Sequence, residues 1–313
     1  MQRTSSVVVG YDGSGRALSA LKWAAREAAC RDLTLRIIRA VPYPAALPRA
    51  AGSVPEHSDL LGNHVLDEGI QIASLVLNEG QVSGASITGH PAGVLAEAAD
   101  QAAMVVVGQR SQDTPVSSAI GSTSLVLADH ARCPVVIARG AAGPERAVLP
   151  VVVGVTGDAS SQAALDFAAY TAQLRCVPLT IVAAWPLPPV REWSRPADGF
   201  DTVAQWARDV SSRAAAAAST SEDYVRQRYP TVATRTRVDQ LDPALALVRM
   251  SRRAGLVVVG FGSETGTGLR SEGSVAVQGL GRGAQAVLAR TACPVAVVPD
   301  VAVSTDAGSG RAV

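Results

Sequence analysis

The chain has 313 residues, 48% of them hydrophobic and 18% charged, a composition that builds packed cores and excludes global disorder. At roughly 100–200 residues per domain, the length argues for two domains. The 28 basic and 27 acidic residues leave a net charge of +1, so charge gives no indication of a nucleic-acid partner.

Val7-Val8-Val9 is a β-branched run, the mark of a strand buried on both faces. Gly10 to Gly15 reads as a turn, and from Ala17 to Ala29 the apolar residues fall at helical spacing. Leu35–Ile38 is a second strand, stopped by Pro42 and Pro44, and a proline-rich loop runs to about Glu56. A helix is predicted over Ser58–Leu77 and a strand near Ser83–Thr88. A second helix starts at Pro91, which suits a first helical turn, and continues through Ala102. Met104–Val107 is the next strand, a polar loop spans Gly108–Gly121, a helix begins near Ser122, and Pro134–Ala138 is the last strand. This β-α-β-α-β-α-β-α-β order implies a doubly wound parallel sheet.

The same order is then written again. Residues 7–42 overlay residues 151–186 at a constant offset of 144, with 15 of 36 positions identical. Val105-Val106-Val107-Gly108 matches Val257-Val258-Val259-Gly260 at offset 152, and Cys133-Pro134-Val135 matches Cys293-Pro294-Val295 at offset 160. The second copy has therefore gained eight residues in its middle and eight more after Gly260. Two α/β domains are expected, residues 1–143 and 147–300, each long enough to own a core. The small, polar segment 301–313 is expected to be a disordered tail.

Open parallel sheets bind ligands beyond the carboxyl ends of their strands. In the first copy Asp12, Val41, Gly108 and Gly121-Ser122-Thr123 all fall at that edge. Glycines let backbone amides approach a phosphate, and a helix starting at Ser122 offers unpaired N–H groups and the positive end of its dipole. The Ser122 and Thr123 hydroxyls add donors. Two plainer readings stand beside this one. Gly108 and Gly121 can simply shape a turn while Ser122 caps a helix, and Asp12 before Gly13-Ser14 can be a turn residue rather than an acceptor for a ribose hydroxyl or base amine. Gly10, Gly13 and Gly15 do not spell the dinucleotide fingerprint G-x-G-x-x-G.

Other chemistries have less support. Lys22 is the only lysine, and G-x-x-x-x-G-K-[ST] is absent, which excludes a Walker-type loop. Cys30, Cys133, Cys176 and Cys293 form no C-x-x-C pair, and Cys133 and Cys293 read as buried filler. The histidines His57, His64, His90 and His130 lack the clustered partners of a metal site. No G-x-S-x-G elbow occurs. There is no signal peptide and no apolar run of ~18 residues, so a soluble cytoplasmic protein with no membrane partner is expected.

Taken in order, Val7-Val8-Val9-Gly10-Tyr11-Asp12-Gly13-Ser14, Ala40-Val41-Pro42, Gly89-His90-Pro91-Ala92, Val105-Val106-Val107-Gly108, Gly121-Ser122 and His130-Ala131-Arg132-Cys133-Pro134-Val135 resemble the universal stress protein family, as a tandem pair. The resemblance implies Rossmann-like, doubly wound domains, each a five-stranded parallel sheet in strand order 3-2-1-4-5, flanked by helices and paired through their last strands about a pseudo-two-fold. It also implies binding of ATP or AMP in one subgroup, marked by Gly-x-x-Gly, nine residues, then Gly-Ser or Gly-Thr. There an aspartate after strand one and the backbone ending strand two hold the nucleoside. On this chain Asp12 and Val41 match the nucleoside positions, and Gly108, Gly121 and Ser122 match the phosphate loop. Ser111 stands where the second glycine would be.

The second copy departs further. Thr156 replaces the aspartate and Ser263 the second glycine. Gly273-Ser274 keeps the loop spacing, whereas Gly281-Arg282 keeps the distance to Cys293-Pro294. ATP, with Mg2+ as an accompanying ion, is therefore expected mainly in the first copy, with the second site doubtful. Three functions remain open. The favoured one is a nucleotide-binding regulatory or stress-response protein with no necessary turnover. The second is a structural or interaction member binding no nucleotide. The third is an ATP-using enzyme, for which no carboxylate, histidine or lysine is placed. Beyond the pairing of the two domains, a homodimer and an unidentified regulatory protein are the open partners.

Overall fold

The computed structural model of the chain describes residues 6–41, 56–109, 121–139, 144–157, 159–186, 199–261 and 282–299. The tail expected at 301–313 and Ser111 lie outside them. The first half runs β1 (Ser6–Gly10), α1 (Gly15–Arg31), β2 (Thr34–Val41), α2 (Glu56–Ala73), β3 (Val82–Thr88), α3 (Pro91–Ala99), β4 (Met104–Gly108), α4 (Ser122–His130) and β5 (Val135–Ala138). After a single turn, α5 (Pro144–Ala147), the order repeats. The second half has β6 (Val151–Gly154), α6 (Ala159–Leu174), β7 (Leu179–Ala184), α7 (Gly199–Arg228), β8 (Thr234–Asp239), α8 (Pro243–Ser251), β9 (Leu256–Gly260), α9 (Arg282–Arg290) and β10 (Val295–Val298).

The strand order is β3-β2-β1-β4-β5-β10-β9-β6-β7-β8. Each half thus has the order 3-2-1-4-5 with all its neighbours parallel. The two do not stay separate sheets. β5 and β10 pair antiparallel, Val295 with Ile137 and Val297 with Val135, and close each other's free edge into one mixed ten-stranded sheet. Arg139, just past β5, adds a second tie: its Nη1 donates to the Thr291 carbonyl at 2.6 Å, beyond the end of α9 in the other half.

The valine runs are buried on both faces because helices cover both. Alternate residues divide between two apolar layers, and each layer continues across the seam. Val7, Val9, Val151 and Val153 pack under α1, α2, α6 and α7, whereas Val8, Val105, Val152 and Val257 pack under α3, α4, α8 and α9. In both halves the first helix ends on a left-handed residue, Asp32 and Cys176, each with φ of 52°. That local end of the chain reversal survives even where the residue type does not.

Several bounds differ from the pattern-based expectation: β2 runs on to Val41, α2 begins at Glu56 rather than Ser58, and α3 ends at Ala99 rather than Ala102. α2 stops at Ala73 rather than Leu77. The amides of Val76 and Leu77 both turn back to the Ala73 carbonyl, which buries Leu77 and leaves Leu75 exposed. The last helix of the second half starts at Arg282, the position that lies 160 residues after Ser122. The spacing to Cys293-Pro294 therefore sets that helix, not the spacing from Ser263. No helix among the described residues is long and apolar enough to cross a membrane.

Candidate functional site

β1 and β4 are adjacent, and their carboxyl ends open a crevice of about 310 Å³ in the first half. Its walls include Asp12, Arg16, Gly108, Gly121, Ser122 and Thr123. The structure thus gathers five of the seven residues singled out from sequence, together with others that were not. Ser111 lies outside the described residues. Val41 does not line the crevice; Ile38 and Ala40 of the same strand do, and the Val41 carbonyl accepts from Gly89 N–H at 2.8 Å.

The loop after β1 is built locally. Gly13 takes φ of +82°, Asp12 Oδ1 accepts from Ser14 N–H at 3.0 Å, and Ser14 Oγ accepts from Ala17 N–H at 3.3 Å to cap α1. Asp12 is a turn residue, then, but an exposed one, and its Oδ2 has no partner among the described residues. Beside it the Tyr11 ring is buried under α2, where a Cβ on Gly69 would lie 2.9 Å from it. Burial, with the charges of Glu68 and Asp12, raises the Tyr11 phenol, so it stays neutral at physiological pH.

The two glycines of the phosphate-loop pattern have different physical reasons. A Cβ on Gly108 would sit 2.7 Å from the Arg16 carbonyl oxygen, so this glycine lets the end of β4 pass against the first turn of α1. Gly121 is not required by packing. Its φ of −61° suits any residue, and the nearest atom to an added Cβ is Ser124 Oγ at 3.8 Å. It is the N-cap of α4 yet supplies no side-chain cap, and the first-turn residues Ser122, Thr123 and Ser124 line the crevice.

Arg16 is the residue that sequence reading missed. It is exposed on the crevice wall and has no ion-pair or hydrogen-bond partner among the described residues. One signal was available: Arg16 occupies the first turn of α1, which holds no acid, and a cation there opposes the helix dipole. Gln109, buried on the same wall, was missed as well.

The equivalent place in the second half is different. Its cavity is about 40 Å³, walled by Leu247, Val259 and Val287 among others. Thr156, in place of Asp12, spends its hydroxyl on Ser161 Oγ at 2.7 Å. Ser122, Thr123 and Ser124 are replaced by Arg282, Gly283 and Ala284, so all three hydroxyls are lost. Phe261 stands where Gln109 is. Trp185, opposite Val41, packs edge-on against Trp206 with ring centroids 6.4 Å apart.

The remaining cysteine and histidine expectations are plain. Cys133 and Cys293 are buried, and burial pushes the Cys293 thiol up to about 12, which leaves it inert. Among the described residues no group of three or more His, Cys, Asp or Glu could hold a metal ion.

Two α/β halves, each in strand order 3-2-1-4-5 and joined in one sheet, form a tandem, Rossmann-like architecture. The model of the universal stress protein family matches residues 4–139 and again residues 149–299. The chain belongs to that family. It is 31% identical over 263 residues to universal stress protein Rv2623 of Mycobacterium tuberculosis, covering 81% of this chain and 85% of that one. Universal stress protein Rv1996 of the same organism is 29% identical over 282 residues, covering 83% of this chain and 86% of its own. The fold is similar to the crystal structure of a universal stress protein from Archaeoglobus fulgidus, with a TM-score of 0.65 and 14% identity, over 95% of this chain and 97% of that one.

Proposed function

We propose that this universal stress protein is a nucleotide-binding regulatory protein that holds one adenine nucleotide, ATP or AMP, in the crevice of the domain spanning residues 1–143, the domain spanning 147–300 serving as its paired partner. The observation that carries this reading is the uncapped start of α4 on the wall of a 310 Å³ crevice that also holds Asp12 and Arg16. That volume is at the lower end of the ~300–1,000 Å³ usual for small-molecule sites. The amides of Ser122 and Thr123 with their hydroxyls would take phosphate oxygens, Arg16 would neutralise the outer charge, and the free Oδ2 of Asp12 would accept from a ribose hydroxyl. The end of β2 at Ile38 and Ala40 would border the base. Among the described residues Asp12 is the one carboxylate on the crevice wall, and with it Mg2+ would be held mostly by phosphate oxygens and water. Among the described residues the titratable side chains lining the crevice are Tyr11, Asp12 and Arg16, a set that favours binding over turnover.

Arg16→Ala should weaken ATP binding by roughly 10- to 100-fold, the range expected for losing a charged hydrogen-bond donor, and weaken AMP binding less. Calorimetric titration of each nucleotide into both proteins measures it. Equal affinity of variant and parent for ATP would remove Arg16 from the site. A second reading, an interaction protein that binds no nucleotide, draws on the turn role of Asp12 and the packing role of Gly108; a parent protein silent toward ATP would favour it.

A further inference from the structure

The seam between the halves carries a buried ionic cluster that the nucleotide reading does not use. Glu27 on α1 has its carboxylate between two arginines. Arg31 Nε donates to Oε1 at 2.8 Å, and Arg175, after α6 of the other half, donates to Oε2. The side chains are 3% exposed for Glu27 and 8% for each arginine. Arg31 also donates to Thr171 Oγ1 at 2.7 Å. Burial alone would raise the Glu27 carboxyl, but the charges and hydrogen bonds of Arg175 and Arg31 outweigh it and hold the group below the usual carboxylate range.

The cluster is a pseudo-symmetric figure whose one buried carboxylate has no counterpart in the other half. At the repeat offset of 144, Trp23 corresponds to Phe167, Glu27 to Thr171 and Arg31 to Arg175. The contacts reciprocate: Arg31 lies over the Phe167 ring at 5.0 Å, and Arg175 over the Trp23 ring at 5.4 Å. Arg31 reaches Thr171 as Arg175 reaches Glu27. The halves differ in charge at Glu27 and Thr171, and beside them at half-buried Arg26 and its counterpart Tyr170, whose ring also lies under Arg31, at 5.2 Å.

That difference has a consequence for pairing. A second half facing another second half would bury two Arg175 side chains with no carboxylate between them, and an uncompensated buried cation is strongly unfavourable. Two first halves facing each other would bury two Glu27 with two Arg31 in balance, with half-buried Arg26 standing where Tyr170 is. A closed dimer made by pairing like halves needs both arrangements at once, so the carboxylate-free one forbids it. We propose that Glu27 opposite Thr171 is a charge key on the seam that makes each first half accept a second half, and not its own like, as its partner.

Three full-length variants test this, each refolded from denaturant and examined by light scattering across a concentration series and by thermal unfolding. Thr171→Glu supplies a carboxylate to every pairing; it should unfold near the parent temperature yet gain a concentration-dependent population of like-paired dimer absent from the parent. Glu27→Thr removes the carboxylate from every pairing and should unfold roughly 5–10 °C lower. The exchange variant Glu27→Thr/Thr171→Glu moves the key to the other side of the seam and should restore both the parent temperature and the parent distribution of species. A Thr171→Glu chain that refolds to the parent distribution overturns the proposal. So does an exchange variant no better than Glu27→Thr.

Discussion

Gly121→Asp is expected to abolish ATP binding while leaving the protein as stable as before, or slightly more so. The two effects have one origin. Gly121 is the N-cap of α4 in an extended conformation that aspartate adopts freely, and an added Cβ meets only Ser124 Oγ at 3.8 Å. Aspartate is among the best N-cap residues, so its carboxylate would accept from the free first-turn amides and gain a few tenths of a kcal/mol over glycine. Those amides are the ones proposed to hold the phosphates. Once they are taken, and with a negative charge set among them, affinity should fall by about 100-fold or more. Thermal unfolding and calorimetric titration on the same sample measure both. A variant that binds ATP like the parent would take the start of α4 out of the phosphate site.

Gly108→Ala should do the reverse of what its place in a phosphate loop implies: its main cost is to the fold. The added Cβ would lie 2.7 Å from the Arg16 carbonyl oxygen and 2.8 Å from its carbon, and both are backbone atoms of a helix that cannot swing aside as a side chain can. Overpacking of this kind costs about 1–3 kcal/mol. For a chain of this size that is a fall of several degrees in the unfolding temperature, at roughly 2–4 °C per kcal/mol. The displaced turn carries Ser14 and Arg16, so ATP affinity should fall with it. An unchanged unfolding temperature would mean that β4 and α1 are not in such close contact.

The contrast between these two glycines shows what the sequence could express. A glycine thirteen residues from another is one symbol, whether the reason is a backbone passing at 2.7 Å or open space beside a helix start. The strands were legible because Val7-Val8-Val9 and its three counterparts are buried on both faces, and burial on two faces writes an unbroken apolar run. The strand order within each half was implied by the family resemblance. That Val135–Ala138 and Val295–Val298 meet each other was implied by the resemblance alone, since nothing in these short apolar runs marks a partner edge.

Arg16 was not legible as a site residue because the loop pattern directs attention to glycines and hydroxyls. Its misfit with the helix dipole becomes visible only when the start of α1 is fixed at Gly15. The seam cluster was hidden differently. In the overlay of the two copies, Glu27 against Thr171 is one mismatch among many. Only the fold brings Arg175 across 148 positions to the same carboxylate as Arg31. The loss of the second crevice was partly legible, since Thr156 in place of an aspartate is plain in the alignment. The replacement of three hydroxyls by Arg282, Gly283 and Ala284 needed the helix start to be settled first.

The central claim is that one crevice of the pair, and not both, holds an adenine nucleotide on the main-chain amides of a helix start. Titration of the nucleotide-free, full-length protein with ATP, read as moles bound per mole of chain, tests it most directly. The account predicts saturation at one. A value of zero, or two sites of equal affinity, would contradict it.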